Sequence, residues 1–279
     1  MVDKINKFKR SLGQNFLFDQ GYLVAIAQAA TAGLTGMNIL ELAAGNGNLT
    51  EQLCSYARKV VAIEIDDRWC EELKNRFSGC PAVSVVKEDI KKADFSSCFK
   101  DGDSILVGNL PYNIASPVML RFGGFKKAFS SFTVLIQKDV AQRVVASPGK
   151  KAYSVLSVLL AIDFEAELLF DVPGSAFYPV PKVVSSLVRL TPNNFDIDEK
   201  DRNSLVKLIK AAFYNRRKTI INSLVRSGAF PAYGRNIWED MLNRSGIDPQ
   251  RRGETLSLEE FNELYLSESN LRSLSAKVG

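Results

Sequence analysis

The stretch Asn38-Ile39-Leu40-Glu41-Leu42-Ala43-Ala44-Gly45-Asn46-Gly47-Asn48-Leu49-Thr50 decides the fold. A short, mostly apolar run leads straight into a turn with two glycines one residue apart, and an amphipathic stretch, Leu49 to Ala57, follows. Strand, G-x-G turn and helix in that order open a parallel α/β unit, because glycines there let the backbone turn tightly and approach a ligand. A dinucleotide fingerprint would carry a third small residue where this chain has Thr50, which counts against a nicotinamide enzyme.

Outward from that turn, β-branched runs alternate with amphipathic stretches, as expected of a parallel sheet covered by helices. Strands are expected over Asn38 to Leu42, Lys59 to Ile65, Val83 to Lys87, Ser104 to Asn109 and Ser131 to Gln137. Two more, Phe164 to Phe170 and Val183 to Leu190, flank a Pro- and Gly-rich loop and read as a late hairpin. After Thr191-Pro192-Asn193-Asn194 the period becomes helical, with Leu205, Leu208, Ile209 and Ala212 spaced for one face. The expectation is an α/β domain over 1–192 and a small helical domain over 193–279. The basic first residues are expected to be mobile up to Asn15-Phe16-Leu17, which packs onto the core.

Composition narrows the chemistry. The chain has 279 residues, 46% hydrophobic and 24% charged, with no long apolar run, and the expectation is a soluble cytosolic protein without membrane contact. Its four cysteines form no C-x-x-C pair, so neither a zinc site nor a disulfide framework is indicated. Histidine is absent altogether, which removes imidazole bases and most catalytic zinc sites. The net charge is only +5, but Lys207, Lys210, Arg216, Arg217, Lys218 and Arg226 fall between Asn203 and Gly228 with no acid among them. Such a block suits a polyanion, RNA included, although half of it would be ordinary on a solvated helix face.

Acids stand at successive strand ends. Glu64 lies nineteen residues past Gly45, the spacing at which a carboxylate reaches ribose hydroxyls, and Asp89 follows the third strand, placed for an adenine amino group. With no phosphate-cradling loop, S-adenosylmethionine fits these acids better than a nucleotide does. The fourth strand runs into Asn109-Leu110-Pro111-Tyr112. There an Asn carbonyl and the backbone carbonyl before proline can accept from an exocyclic amine, and the Tyr112 ring offers a stacking face for an extruded base. Such an amine loses its proton to water once methylated, so no base is required.

At these residues the chain resembles the ribosomal RNA adenine N6,N6-dimethyltransferase family, most closely its bacterial small-subunit branch linked to kasugamycin sensitivity. The likeness takes in Leu12-Gly13-Gln14-Asn15-Phe16-Leu17, the three strand ends, Asn109 to Ile114, and Phe177-Tyr178-Pro179-Val180-Pro181-Lys182-Val183. It continues through Phe213 with Arg216-Arg217-Lys218 and through Arg252-Gly253-Glu254-Thr255-Leu256. What it implies is a Rossmann-like class I methyltransferase sheet, mostly parallel and seven-stranded with a late antiparallel hairpin, plus a C-terminal helical RNA-binding domain. It also implies cofactor contact from Asn15, Leu17, the turn at Ala43, Gly45 and Gly47, and from Glu64, Asp89 and Asn109. Phe177 would close a base sandwich with Tyr112, and Lys207, Lys210, Arg216, Arg217 and Lys218 would meet RNA. The implied reaction is dimethylation of two adjacent adenosines near the 3′ end of small-subunit rRNA during ribosome biogenesis, by a cytoplasmic monomer that needs no metal.

The chain departs from the family at one place, with Ala43-Ala44-Gly45 where Gly-Pro-Gly is usual, and a methyl at 43 would crowd the cofactor if that residue needs positive φ. Two alternatives stay open: a large-subunit rRNA methyltransferase of the macrolide-resistance type, and a non-catalytic RNA-binding assembly factor on the same fold.

Overall fold

The structure is a computed structural model that describes residues 15–98, 104–195 and 197–278. The Leu12-Gly13-Gln14 part of the first motif and the basic residues before it lie outside the described residues.

The described chain begins with a two-residue strand β1 (Phe16–Leu17) and helix α1 (Gln20–Thr31), whose first turn is capped by the Asp19 carboxylate accepting from Tyr22 N at 3.2 Å. Next come β2 (Met37–Leu42), α2 (Asn48–Leu53), β3 (Ala57–Glu64), α3 (Asp67–Arg76) and β4 (Val83–Lys87). Then follow β5 (Ser104–Asn109), α4 (Ala115–Arg121), β6 (Ser131–Gln137), α5 (Lys138–Val144) and α6 (Val155–Ala161). The late pair is β7 (Phe164–Val172) and β9 (Ser185–Pro192), with the two-residue β8 (Phe177–Tyr178) between them.

One seven-stranded sheet in the order β4-β3-β2-β5-β6-β9-β7 results. β2, β3, β4, β5 and β6 are parallel, while β9 runs antiparallel to both of its neighbours, β6 and β7. Ile39, Leu40 and Leu42 are wholly buried, as central strands covered on both faces must be. The strand order reverses between β2 and β5, where Leu42 lies opposite Gly108, and that switch point opens a cleft beyond the carboxyl ends of the strands. Apart from the sheet, β1 and β8 form a small antiparallel ribbon.

The described residues up to 142 and those of 164–192 form one compact unit, and 143–163 with the described residues from 193 on form the other. The sequence reading placed 143–163 in the first domain; the structure corrects this. Tyr153, Val158, Leu159 and Ile162 are buried in the same cluster as Leu205, Leu208 and Ile209, and the Tyr153 hydroxyl donates to Leu256 O at 2.8 Å. Apolar contact between segments so far apart in the chain leaves no trace in local periodicity.

The second unit also holds α7 (Glu199–Ala212), α8 (Ile220–Ser227), α9 (Arg235–Arg244) and α10 (Leu258–Val278), around a core with Trp238 and Phe261 fully buried. The Arg252-Gly253-Glu254 motif is explained here. A Cβ on buried Gly253 would stand 2.6 Å from Ala212 O, so only glycine lets this turn approach the end of α7. Beside it Glu254 pairs with Arg216 at 2.5 Å. Among the described residues no helix is long and apolar enough to cross a membrane. Gly253→Ala is expected to destabilise this unit by about 1–3 kcal/mol, the usual cost of overpacking, seen as a lower urea midpoint.

Candidate active site

A cavity of about 250 Å³ lies in the first unit, beyond the ends of β2, β3, β4 and β5. Each strand end contributes to it: Glu41 and Ala43 to Asn46 from β2, Glu64 and Ile65 from β3, Glu88 to Lys91 from β4, and Asn109 to Ile114 from β5. Asn15, Phe16 and Leu17 complete the wall.

The Glu64 carboxylate organises the floor. Its Oε2 accepts from Gly45 N at 2.9 Å, while Oε1 accepts from Ile65 N at 2.8 Å and Asp66 N at 2.9 Å. Three backbone donors hold a nearly buried carboxylate in place and, of about four lone-pair sites, leave one on Oε2 for a ligand hydroxyl. Around it the chain turns left-handed at Ala43 (φ 55°), Gly45 (56°) and Gly47 (81°). A side chain at Gly45 would meet the Phe16 ring at 2.7 Å, so glycine there allows that ring to cover the turn. Asn48 Nδ2 donates to Leu17 O at 2.9 Å and fastens the same segment from the other side.

Glu41 is an acid that the sequence reading did not select. It sits 1% exposed in the middle of an apolar strand, and its Oε2 has no hydrogen-bond partner. Burial and then the neighbouring Glu64 push its carboxyl up to about 8, with Thr50 and Arg76 pulling the other way. The signal was visible in the sequence as one acid inside an otherwise apolar run. Asp89 is half-buried at the far wall; its Oδ1 accepts from Lys91 N at 2.9 Å.

At the end of β5, Asn109 Nδ2 donates to Asn15 O at 3.2 Å. That bond fixes the amide so that Oδ1 is the atom left to accept from a substrate. Leu110 N donates to Leu135 O at 3.1 Å and Ile114 N to Pro111 O at 3.1 Å, so the backbone on both sides of Pro111 is pinned. The Tyr112 hydroxyl is within 2.8 Å of Ser185 Oγ, and burial raises its phenol above the usual value despite that partner.

The structure therefore brings together Asn15, Leu17, Ala43, Gly45, Glu64, Asp89 and the whole run Asn109 to Tyr112. Two expected residues are not in the wall. At Gly47 a Cβ would meet Leu73 at 2.8 Å and Phe77 at 2.9 Å, so this glycine serves packing against α3. Phe177 is 0% exposed, packed with Leu17, Leu23 and Leu187, and no face of its ring is open to a base. Lys207, Lys210, Arg216, Arg217 and Lys218 are all exposed on the second unit; Lys207 Nζ lies 4.6 Å over the Phe230 ring, and Arg216 is held by Glu254 and Lys151 O.

A methyl donor of the adenosine type fits this donor set. A buried carboxyl with one unpartnered oxygen, a second carboxylate with a free lone-pair site and a third at the far wall suit hydroxyls, amines and a cation better than phosphates. Fold and site together define a Rossmann-like methyltransferase. A model of the family described as ribosomal RNA adenine dimethylase matches residues 5–267. Proteins called ribosomal RNA small subunit methyltransferase A are similar over nearly their whole length. The one from Desulfitobacterium hafniense is 41% identical over 258 residues, 91% of this chain and 90% of that protein. The one from Shouchella clausii is 41% identical over 263 residues, 92% and 88% of the two chains. Among solved structures, a dimethyladenosine transferase from Plasmodium falciparum superposes with a TM-score of 0.77 at 25% identity, covering 91% of this chain and 98% of its own. The 23S rRNA methyltransferase ErmE gives a TM-score of 0.68 at 27% identity over 91% and 99%. The chain belongs to the ribosomal RNA adenine dimethylase family of S-adenosylmethionine-dependent methyltransferases.

Two outcomes follow from the turn. A carboxyl with its folded pKa raised to about 8 contributes stability that is complete below its ordinary value of 4.5 and is lost as pH climbs through 8. Glu41→Gln without cofactor is therefore expected to melt higher than the parent at pH 8–9, the gap closing toward pH 5. Ala43→Gly relieves a left-handed alanine worth about 1–2 kcal/mol against a glycine entropy of about 0.5–1 kcal/mol. Its melting point is expected to rise by roughly 1–4 °C, and calorimetry is expected to show tighter cofactor binding.

Proposed function

We propose that this chain dimethylates the N6 amines of two adjacent adenosines in the 3′-terminal hairpin loop of small-subunit rRNA, as a step of subunit biogenesis in the cytoplasm. The observation that carries the reading is Asn109, in the cavity wall with Pro111 and Tyr112 and anchored through Nδ2 on Asn15 O, which leaves Oδ1 as the acceptor. The names of the curated relatives and the exposed cations of the second unit support the same substrate.

S-adenosylmethionine supplies an electrophilic methyl group on a sulfonium. In this cavity Glu64 would hold it at the ribose and Asp89 at the adenine amine, with Glu41 in the same wall. Asn109 Oδ1 and Leu110 O accept the two hydrogens of the target amine, which draws nitrogen out of conjugation with the ring and frees its lone pair. Tyr112 stacks on the extruded base. Its acceptors are pinned before substrate arrives, so orientation costs little at the moment of reaction. After one transfer a single N–H remains and one acceptor suffices; after two, neither bond can form and the product is released. The proton of each methylated amine leaves to water.

Labelled cofactor offered to undermethylated small and large subunits together should yield label in dimethyladenosine of the small-subunit rRNA. Label confined to large-subunit rRNA would overturn the assignment. The triple variant Lys210→Glu, Arg217→Glu, Lys218→Glu spares Arg216, which is tied to Glu254. It is expected to weaken subunit binding at least tenfold and flatten its salt dependence, with cofactor affinity unchanged.

A further inference from the structure

Arg121 is the last residue of α4, and a cation in the final turn of a short helix is common by itself. This guanidinium, however, reaches off its helix to the turn that follows β4. Its Nη1 donates to Ile90 O at 2.5 Å and its Nη2 to Ala93 O at 2.8 Å. The same group lies over the Phe95 ring, 5.1 Å from its centre, and over the Phe125 ring at 5.7 Å. The helix that carries it is well fixed, with Val118 and Met119 wholly buried.

The turn it grips requires such a fork. Lys91 N donates to Asp89 Oδ1 at 2.9 Å, while Lys92 N and Ala93 N donate to Asp89 O at 2.8 and 2.9 Å. The N–H groups are thus gathered on Asp89, and the carbonyls of Ile90 and Ala93 are met by a donor from outside the turn. Upstream, Glu88 N ties the segment to the sheet through Glu64 O at 3.0 Å, and Arg121 ties its other side. A guanidinium supplies two donors at a fixed spacing, and the flanking rings set its orientation. Asp89, Ile90 and Lys91 line the cavity whereas Arg121 does not, so any effect it has on a ligand passes through them.

We propose that Arg121 is a positioning residue for the methyl donor, holding the Asp89-to-Ala93 turn in the shape that accepts an adenine ring and its amino group. This rests on the donor reading above, in which Asp89 meets the adenine amine. The hydrogen bonds of Arg121 go to that turn and none goes to Asn109 or Tyr112. Its influence therefore falls on donor affinity and choice of base, and methyl transfer from bound donor is spared.

Arg121→Met keeps the apolar stem and removes both donors. By calorimetry it is expected to bind S-adenosylhomocysteine about tenfold more weakly, the loss of charge-assisted bonds partly replaced by water. S-inosylhomocysteine, with an oxygen in place of the adenine amine, should lose much less, so the preference for adenine over hypoxanthine shrinks. The donor KM should rise in step while kcat on undermethylated small subunits stays within about twofold. Arg121→Lys, with one ammonium for two carbonyls, should regain part of the affinity and part of the preference; if Arg121→Met does not fold, the lysine variant is judged by the same comparisons. Unchanged affinity for S-adenosylhomocysteine would overturn the proposal, and so would a kcat that falls as far as KM rises. Where the parent prefers adenine, equal weakening of both ligands would overturn it too. A parent that binds both ligands alike would sink the role given to Asp89 instead, leaving Arg121 to be decided by affinity and by the split between KM and kcat. A parent that binds neither would sink the donor reading and this proposal with it.

Discussion

The Glu64 carboxylate, buried and ringed by three backbone N–H groups, is the constraint on which the site depends. An ionised carboxylate removed from water costs several kcal/mol unless its lone pairs are filled, so the donors and the acid enforce one another. Gly45 N reaches it only because the chain has turned left-handed at Ala43 and Gly45. That same turn leaves room for the Phe16 ring, and Phe16 brings the β1–β8 ribbon against the cavity. Glu41 feels the consequence. With one anion fixed beside it and no donor for its own Oε2, it holds a proton that a cationic ligand would help to expel.

How much of this was legible depended on the range of the interaction. Strands buried on both faces announce themselves as apolar runs, and β4, β5 and β6 lie where the sequence places them, with the other strand ends within about two residues of expectation. Acids at strand ends are readable because the sheet topology alone carries them to one edge. By contrast, Arg143–Asp163 joins the helical unit through Tyr153, Val158 and Leu159, contacts made with residues far along the chain. Arg216 looked unopposed because its partner Glu254 lies beyond the basic block. Gly47 and Phe177 were placed by motif, and each turned out to face a neighbour in the core. A two-residue ribbon is too short to show a period, so which of Phe177 and Tyr178 faces outward needed the register.

The segment Asn15 to Leu17 shows why the site cannot be read strand by strand. Asn15 contributes its backbone carbonyl to orient Asn109, Phe16 its ring to cover Gly45, and Leu17 both a buried side chain and a carbonyl for Asn48. None of these contacts lies within the sheet, yet all converge where β2 and β5 part. With no histidine in the chain, the proposed reaction rests on pointing fixed acceptors at an amine whose proton is released after methylation. That demand falls on geometry, so the segment that holds the Asn109 amide at 3.2 Å matters to the reaction as much as the amide does. A site built in this way tolerates an alanine at position 43, because strain in the donor's turn changes how tightly the donor sits without moving the acceptors. On the proposed reading, binding and chemistry are thereby separated onto two sides of one cavity, the first ordered around Glu64 and the second around the Asn15–Asn109 bond.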